Sequence, residues 1–231
     1  TSPAFNPNPA ISSPTARLVR KERDRGVIKV TVEAPDACIR YSGLTVRGIR
    51  VGPSPAWLQT RLRAIGLNPI NYVVDITNFV LHETGQPLHA FDAAAVTGDT
   101  VRVRHLPDKT KFVTLDGVER TLAPSDLMIC NRDEGMCIAG VFGGLRSGVT
   151  EATTDLFLES ATFSSVSVRR TSRRHDLHTD ASYRFERGTD PEMTIYALKR
   201  AAMLVKELAG GEITGDIIDI YPEPVRKAVV R

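Results

Sequence analysis

No stretch of this chain is apolar for long enough to span a membrane, and its start lacks the basic-then-apolar pattern of a secretion signal. Cysteine is scarce. Cys38, Cys130 and Cys137 are the 3 present, and no two form a C-x-x-C pair. An odd count without that spacing argues against a disulfide framework or a structural zinc site, and for a reducing, cytoplasmic setting. The signatures of common catalysts are missing as well. There is no G-x-S-x-G elbow, no H-E-x-x-H pair, no G-x-G-x-x-G and no G-x-x-x-x-G-K-[ST] loop, so hydrolase-elbow, zincin, dinucleotide and P-loop chemistry are not indicated. No cysteine sits where a nucleophile would be expected, and there is no internal repeat. A formal charge of +3 over 231 residues is too small to name a partner.

What is present is ordinary globular composition, 42% hydrophobic and 25% charged, enough for one large domain or two small ones. "TSPAFNPNPAISSPT" is rich in Pro, Ser and Asn without apolar periodicity, and residues 1–25 read as a linker or disordered arm. "GVIKVTVEA" and "CIRYSGLTVRGI" read as strands. "SPAWLQTRLRAIGLNP" reads as a helix with Ser54 as N-cap, Pro55 in the first turn and Gly66 as the stop. "NYVVDITNFVLHETG" is apolar on most sides and reads as a buried helix. The centre is β-rich: "TVRVRHL" alternates, "KFVTLDGVERTL" reads as a hairpin with a type I′ turn at Asp116-Gly117, and "DLMIC" with "MCIAGVFGG" reads as a second. "TDLFLESATF" is a further strand. A helix capped by Asp190, with Pro191 at its first position, runs to Gly210 and leads into "EITGDIIDIY". This mixture predicts an α+β fold of layered mixed β-sheets packed with helices.

Three places hold residues that folding alone does not require. Glu159 closes the apolar run "DLFLE", where a carboxyl is costly unless it is paired or hydrogen-bonded. Pairing with a nearby arginine is one reading, and a pocket wall that recognises a donor is the other. Gly140, Gly143 and Gly144 end an apolar strand, serving a turn or bulge or letting a ligand approach the backbone. The stretch "SVRRTSRRHDLHTDASYRFERG" is basic, with Arg173, Arg174 and Arg184 among its cations. It reads either as a footprint for phosphate or as a solvated helix face laced with ion pairs. Inside it, "HTDAS" suits a loop presenting hydroxyls. His89, in "TGQPLHAFD", follows a proline-fixed turn and is open to a catalytic, ligating or structural role.

Taken in order, "GLNPINYVVDITNFVLHETGQPLHAFD", "LDGVERTL", "IAGVFGG", "LESATF" and "RRHDLHTDASYRFERGTDP" closely resemble the editing module of the beta subunit of bacterial phenylalanyl-tRNA synthetases. The resemblance runs roughly from Leu44 to Pro222. It implies an editing domain over residues 26–222, with residues 223–231 as the start of a following domain. It also implies partners, namely tRNA(Phe) and a catalytic alpha subunit in a heterotetramer of two alpha and two beta chains. ATP and magnesium would serve the full enzyme, with no cofactor and no metal in this module. The chemistry implied is hydrolysis of mischarged tyrosyl-tRNA(Phe), because a synthetic pocket shaped for phenylalanine cannot strongly reject an analogue that merely adds a hydroxyl. Carried over residue by residue, Glu159 takes the tyrosine phenol, aided by the amide of Gly140. His89 stands near the scissile ester, Thr77 and Asn78 line the same pocket, and Thr179, beside the ester with His89, shares with Ala181 the small size that keeps the pocket open. Arg173, Arg174 and Arg184 would meet tRNA. Tyr183 departs from the family, which often has histidine there, and no role is carried to it. The other readings are a non-hydrolytic RNA- or amino-acid-binding module and a purely structural one.

Overall fold

A long strand rich in small and apolar residues organises the architecture. In the computed structural model, which describes residues 27–225, the chain forms β1 (Lys29–Val32), β2 (Cys38–Ile49), α1 (Ala56–Ala64), α2 (Tyr72–Thr84), β3 (Leu88–Asp92) and β4 (Thr100–His105). It continues through β5 (Lys111–Val113), β6 (Glu119–Thr121), β7 (Leu127–Cys130), β8 (Gly135–Ile138) and β9 (Phe142–Gly143). The last elements are β10 (Asp155–Phe163), α3 (Ser165–His175), α4 (Asp180–Phe185), α5 (Met193–Ala209) and β11 (Gly210–Ile220). The expectation for residues 1–25 lies outside the described residues, as do residues 226–231 of the expected following domain. No helix among the described residues is long and apolar enough to cross a membrane.

A four-stranded antiparallel sheet runs in the order β11-β2-β10-β3, and a five-stranded sheet in the order β1-β4-β7-β8-β9. Alternation sends the two sets of side chains on β10 to opposite faces. Leu156 and Leu158 face Val73, Ile76 and Val80 of α2 and Leu198, Ala201 and Val205 of α5. Phe157 and Ala161 join Tyr41, Phe91, Val101, Val103 and Ile129 in the layer shared with the second sheet. The α+β expectation of layered sheets packed with helices is therefore met, and β10 is buried along nearly its whole length, with Leu156, Phe157 and Leu158 in an unbroken apolar run, because both of its faces are covered.

Several local expectations differ in detail. Ser54 does not cap α1. Pro55 occupies that position without a side-chain bond, while the Ser54 hydroxyl donates to the buried Asp75 at 2.5 Å. The cap of α5 shifts likewise to Glu192, because Asp190 accepts from Glu192 N at 2.9 Å and closes a turn ahead of the helix. The β5–β6 hairpin turns through three residues, Leu115 to Gly117, with Thr114 N donating to Val118 O. Gly117 is left-handed at φ 77° but Asp116 is not, so the turn is not type I′.

α3 is tied down by a buried carboxylate. Asp126 accepts from Thr171 Oγ1 at 2.9 Å, from His175 Nε2 at 2.8 Å and from Ala123 N at 2.9 Å, and is bonded by Arg174 Nη1. Burial works against its ionisation, yet these bonds win and hold Asp126 below the usual carboxylate range.

Gly43 shows how tightly the shared layer is filled. A Cβ there would stand 2.3 Å from Phe157 Cζ. Gly43→Ala should force the Phe157 ring out of a fully buried seat and lower stability by about 1–3 kcal/mol. A urea melt checks this: an unshifted midpoint would mean that the ring has room to move.

Candidate functional site

The strand register creates the site. Gly43, Glu159 and His89 lie opposite one another on β2, β10 and β3, so their side-chain positions share one face of the sheet. β3 is aimed by the turn before it. Asn71 Oδ1 accepts from Val73 N and Val74 N and starts α2, and Gly85, left-handed at φ 77°, ends it. Gln86, almost fully buried, donates from Nε2 to Ala161 O at 2.7 Å and to Pro87 O at 3.0 Å. That bond stitches the turn to β10 and delivers His89 beside Glu159.

A cleft of about 390 Å³ opens over this row, within the range of small-ligand sites. Its wall includes Thr77 and Asn78 from α2, His89 from β3, Gly140 from the β8–β9 turn, Glu159 from β10, and Thr179 and Ala181 at the start of α4. The seven residues picked from the sequence as catalytic or substrate-binding are thus brought together from distant parts of the chain. Leu81, Leu88, Val141, Phe142 and Val149 supply apolar lining.

Among the described residues Glu159 has no arginine partner. Tyr41 Oη donates to its Oε2 at 2.7 Å, and the phenol is fully buried. Burial pushes the Glu159 carboxyl up to about 8, against a lowering influence of the Tyr41 bond. His89 is pressed by burial down to about 4 and is neutral near pH 7. Its Nε2 is enclosed without a hydrogen-bond partner among the described residues. Such an atom is unusual, since buried polar atoms are normally paired. Gly143 makes room for the ring: a Cβ there would stand 3.2 Å from His89 Cε1.

Thr179 is more constrained than a free hydroxyl. It forms a capping box with Ser182, accepting from Ser182 N at 3.0 Å, and its own proton goes to Val141 O at 3.0 Å. "HTDAS" is thus the start of a helix and not a loop presenting hydroxyls. Thr77 likewise donates to Val74 O at 2.7 Å. Gly140 is left-handed at φ 69°, and a Cβ there would meet Phe163, Phe185 and Val168 at 2.9–3.1 Å, so packing alone requires glycine.

The three arginines assigned to tRNA part company. Arg174 pairs with Asp126 and so anchors α3, while its side chain keeps an exposed portion. Arg173 is exposed at the end of α3, away from the cleft lining. Arg184 bridges the rim, with Nη2 at 3.1 Å from His82 Nδ1 on α2 and Nη1 at 3.3 Å from Asp180 Oδ1. Tyr41, Gln86 and His82 escaped the sequence reading, whereas Gly143 was among the glycines it singled out. Only the strand register could have shown Tyr41, because it lies 118 positions from the carboxyl it holds. Among the described residues, no group of three or more His, Cys, Asp or Glu is gathered to hold a metal, and the three cysteines are buried free thiols.

The chain is 58% identical over 221 residues to a phenylalanine–tRNA ligase beta subunit of Bacteroides fragilis, covering 96% of this chain. It is 61% identical over 193 residues to that of Bacteroides thetaiotaomicron and 59% over 204 residues to that of Porphyromonas gingivalis, covering 84% and 88% of this chain. The resemblance read from the motifs is borne out by these relatives. The chain spans about a quarter of their length, at 27%, 24% and 25%. An N-terminal fragment of the phenylalanyl-tRNA synthetase beta subunit from Pyrococcus horikoshii shares the fold at a TM-score of 0.54 and 13% identity, over 87% of this chain and 56% of that one. The B3/4 domain model matches residues 37–210, a span that contains the row Gly43, Glu159, His89 and the whole cleft wall around it, and the chain belongs to the B3/4 domain family.

Proposed function

We propose that this B3/4 domain is the editing module of a phenylalanyl-tRNA synthetase beta subunit, and that its cleft hydrolyses the ester of tyrosyl-tRNA(Phe). The observation that carries the reading is the meeting of a buried carboxyl, Glu159, and a neutral histidine with an unpaired Nε2, His89, in one cleft of about 390 Å³. A tyrosine side chain needs apolar walls for its ring and one polar group at its end. A site built around such a polar group rejects the analogue lacking the hydroxyl, because the group is then left unpaired.

On this reading the phenol reaches Glu159 and the ester lies towards His89. Water adds to the ester carbon and the bond to the ribose oxygen breaks, with that oxygen taking the proton, leaving free tyrosine and uncharged tRNA. His89 Nε2 supplies the hydrogen-bond position that water or the terminal ribose completes. Thr179, whose proton is held by Val141 O, acts by size and by fixing α4 at the cleft mouth. Arg184 and the exposed Arg173 offer positive charge to the phosphates of tRNA. The alpha subunit, with its ATP and magnesium, would perform aminoacylation in the heterotetramer, in the cytoplasm.

Two measurements test the reading, both in the assembled synthetase. Glu159→Ala removes the polar end of the cleft, a loss of about 1–3 kcal/mol, and should cut the preference for tyrosyl- over phenylalanyl-tRNA roughly five- to a hundredfold. A stable variant with its preference intact would sink the assignment. Ala181→Trp should fill the cleft mouth and stop hydrolysis of tyrosyl-tRNA, with binding and phenylalanine activation measured alongside. Undiminished hydrolysis by a folded Ala181→Trp protein would put the chemistry elsewhere. Tight tyrosyl-tRNA binding with no hydrolysis by the unaltered enzyme would favour a binding module instead.

A further inference from the structure

The bond between Tyr41 and Glu159 decides which hydrogen the cleft presents. Tyr41 is fully buried and Glu159 is its hydrogen-bond partner at 2.7 Å. If the phenol only accepted, its own O–H would be orphaned in the core, at a cost of about 1–3 kcal/mol. It therefore donates to Oε2. Among the described residues the groups facing Glu159 bring no positive charge. Cys38 on β2 and Cys137 on β8 are thiols whose ionisation burial and Glu159 itself oppose. His89 on β3 is neutral, and Asp180, lining the cleft from α4, is another acid. A lone carboxylate in such surroundings is costly, while a carboxylic acid is not. This agrees with a carboxyl pushed up to about 8 by burial.

Resting on the tyrosine-editing reading of the cleft, we infer that Tyr41 is a positioning residue: by donating to Oε2 it leaves the acid hydrogen on Oε1, so Glu159 meets the ligand as a hydrogen-bond donor. The specificity of the cleft is then for an oxygen that can accept, held at the end of an aromatic ring, and a phenol meets that requirement. Tyr41 touches no substrate in this scheme and acts through the carboxyl alone.

The test compares Glu159→Gln, Glu159→Ala and Tyr41→Phe in the assembled synthetase, each with its melting temperature. In Glu159→Gln, Tyr41 donates to the amide oxygen and the NH₂ takes the place of the acid hydroxyl. It should recover about tenfold of the tyrosine preference that Glu159→Ala loses. Tyr41→Phe frees the carboxyl to turn and should lower kcat/KM more for tyrosyl- than for phenylalanyl-tRNA. In the unaltered enzyme the preference should decline as pH rises through about 8 and the acid hydrogen is lost, whereas Glu159→Gln should show no such step. A purely structural Tyr41 would shift melting and leave the pH profile alone. The inference is overturned if Glu159→Gln is as impaired as Glu159→Ala, or if both it and the parent share one pH profile. Should Glu159→Ala keep its preference, the editing reading itself fails, and that outcome is separate from the other two.

Discussion

The register of three strands is the constraint on which the rest depends. With Gly43, Glu159 and His89 opposite one another on β2, β10 and β3, one residue without a side chain, one acid and one base share a single face. A slip by one residue would turn Glu159 into the helical layer and Leu158 into the cleft. Phe157 enforces the register from the same face, because its ring occupies the volume that a side chain at position 43 would need. Leu156 and Leu158 enforce it from the other face by packing against α2 and α5. Close packing and the polar row are thus two consequences of one alignment.

That alignment also explains the electrostatics. Burial raises the Glu159 carboxyl to about 8 and lowers His89 to about 4, and among the described residues no cation is paired with either. Charge in the neighbourhood is handled elsewhere. Asp126 collects Arg174, His175 and Thr171 and pins α3, and Arg40 pairs bidentately with Asp219 at 2.8–2.9 Å where β2 meets β11. The basic stretch is therefore divided. Arg174 and His175 anchor α3 through Asp126, Arg184 is tied to Asp180 and His82 at the cleft rim, and Arg173 is exposed. The cleft floor stays free of fixed charge, which suits recognition by single hydrogen bonds rather than by ion pairs.

Much of the architecture was legible in residue patterns. The apolar run Leu156-Phe157-Leu158 marked a strand covered on both faces, the α2 boundaries follow from Asn71 and Gly85, and alternation marked β4. The failures share one cause. Ser54 and Asp190 were read as caps from their neighbours in sequence, yet each bonds to a local or distant group that the pattern does not display. At Asp116-Gly117 the composition suits a two-residue turn, but the pairing of Thr114 with Val118 makes the loop longer by one residue.

The sequence by itself determined the elements, the family and the identity of the seven residues around the cleft, since these depend on periodicity and on motifs that survive as strings. Only the tertiary structure decided what those residues can do. Among the described residues it gave Glu159 a phenol and not an arginine, left His89 Nε2 without a partner, and tied the Thr179 proton to Val141 O. The physical reason is that protonation and hydrogen-bond direction depend on which groups lie within about 3 Å and on how much water remains between them. Those neighbours come from strands and helices as much as 118 positions apart, a proximity that exists only once both sheets have closed on one another.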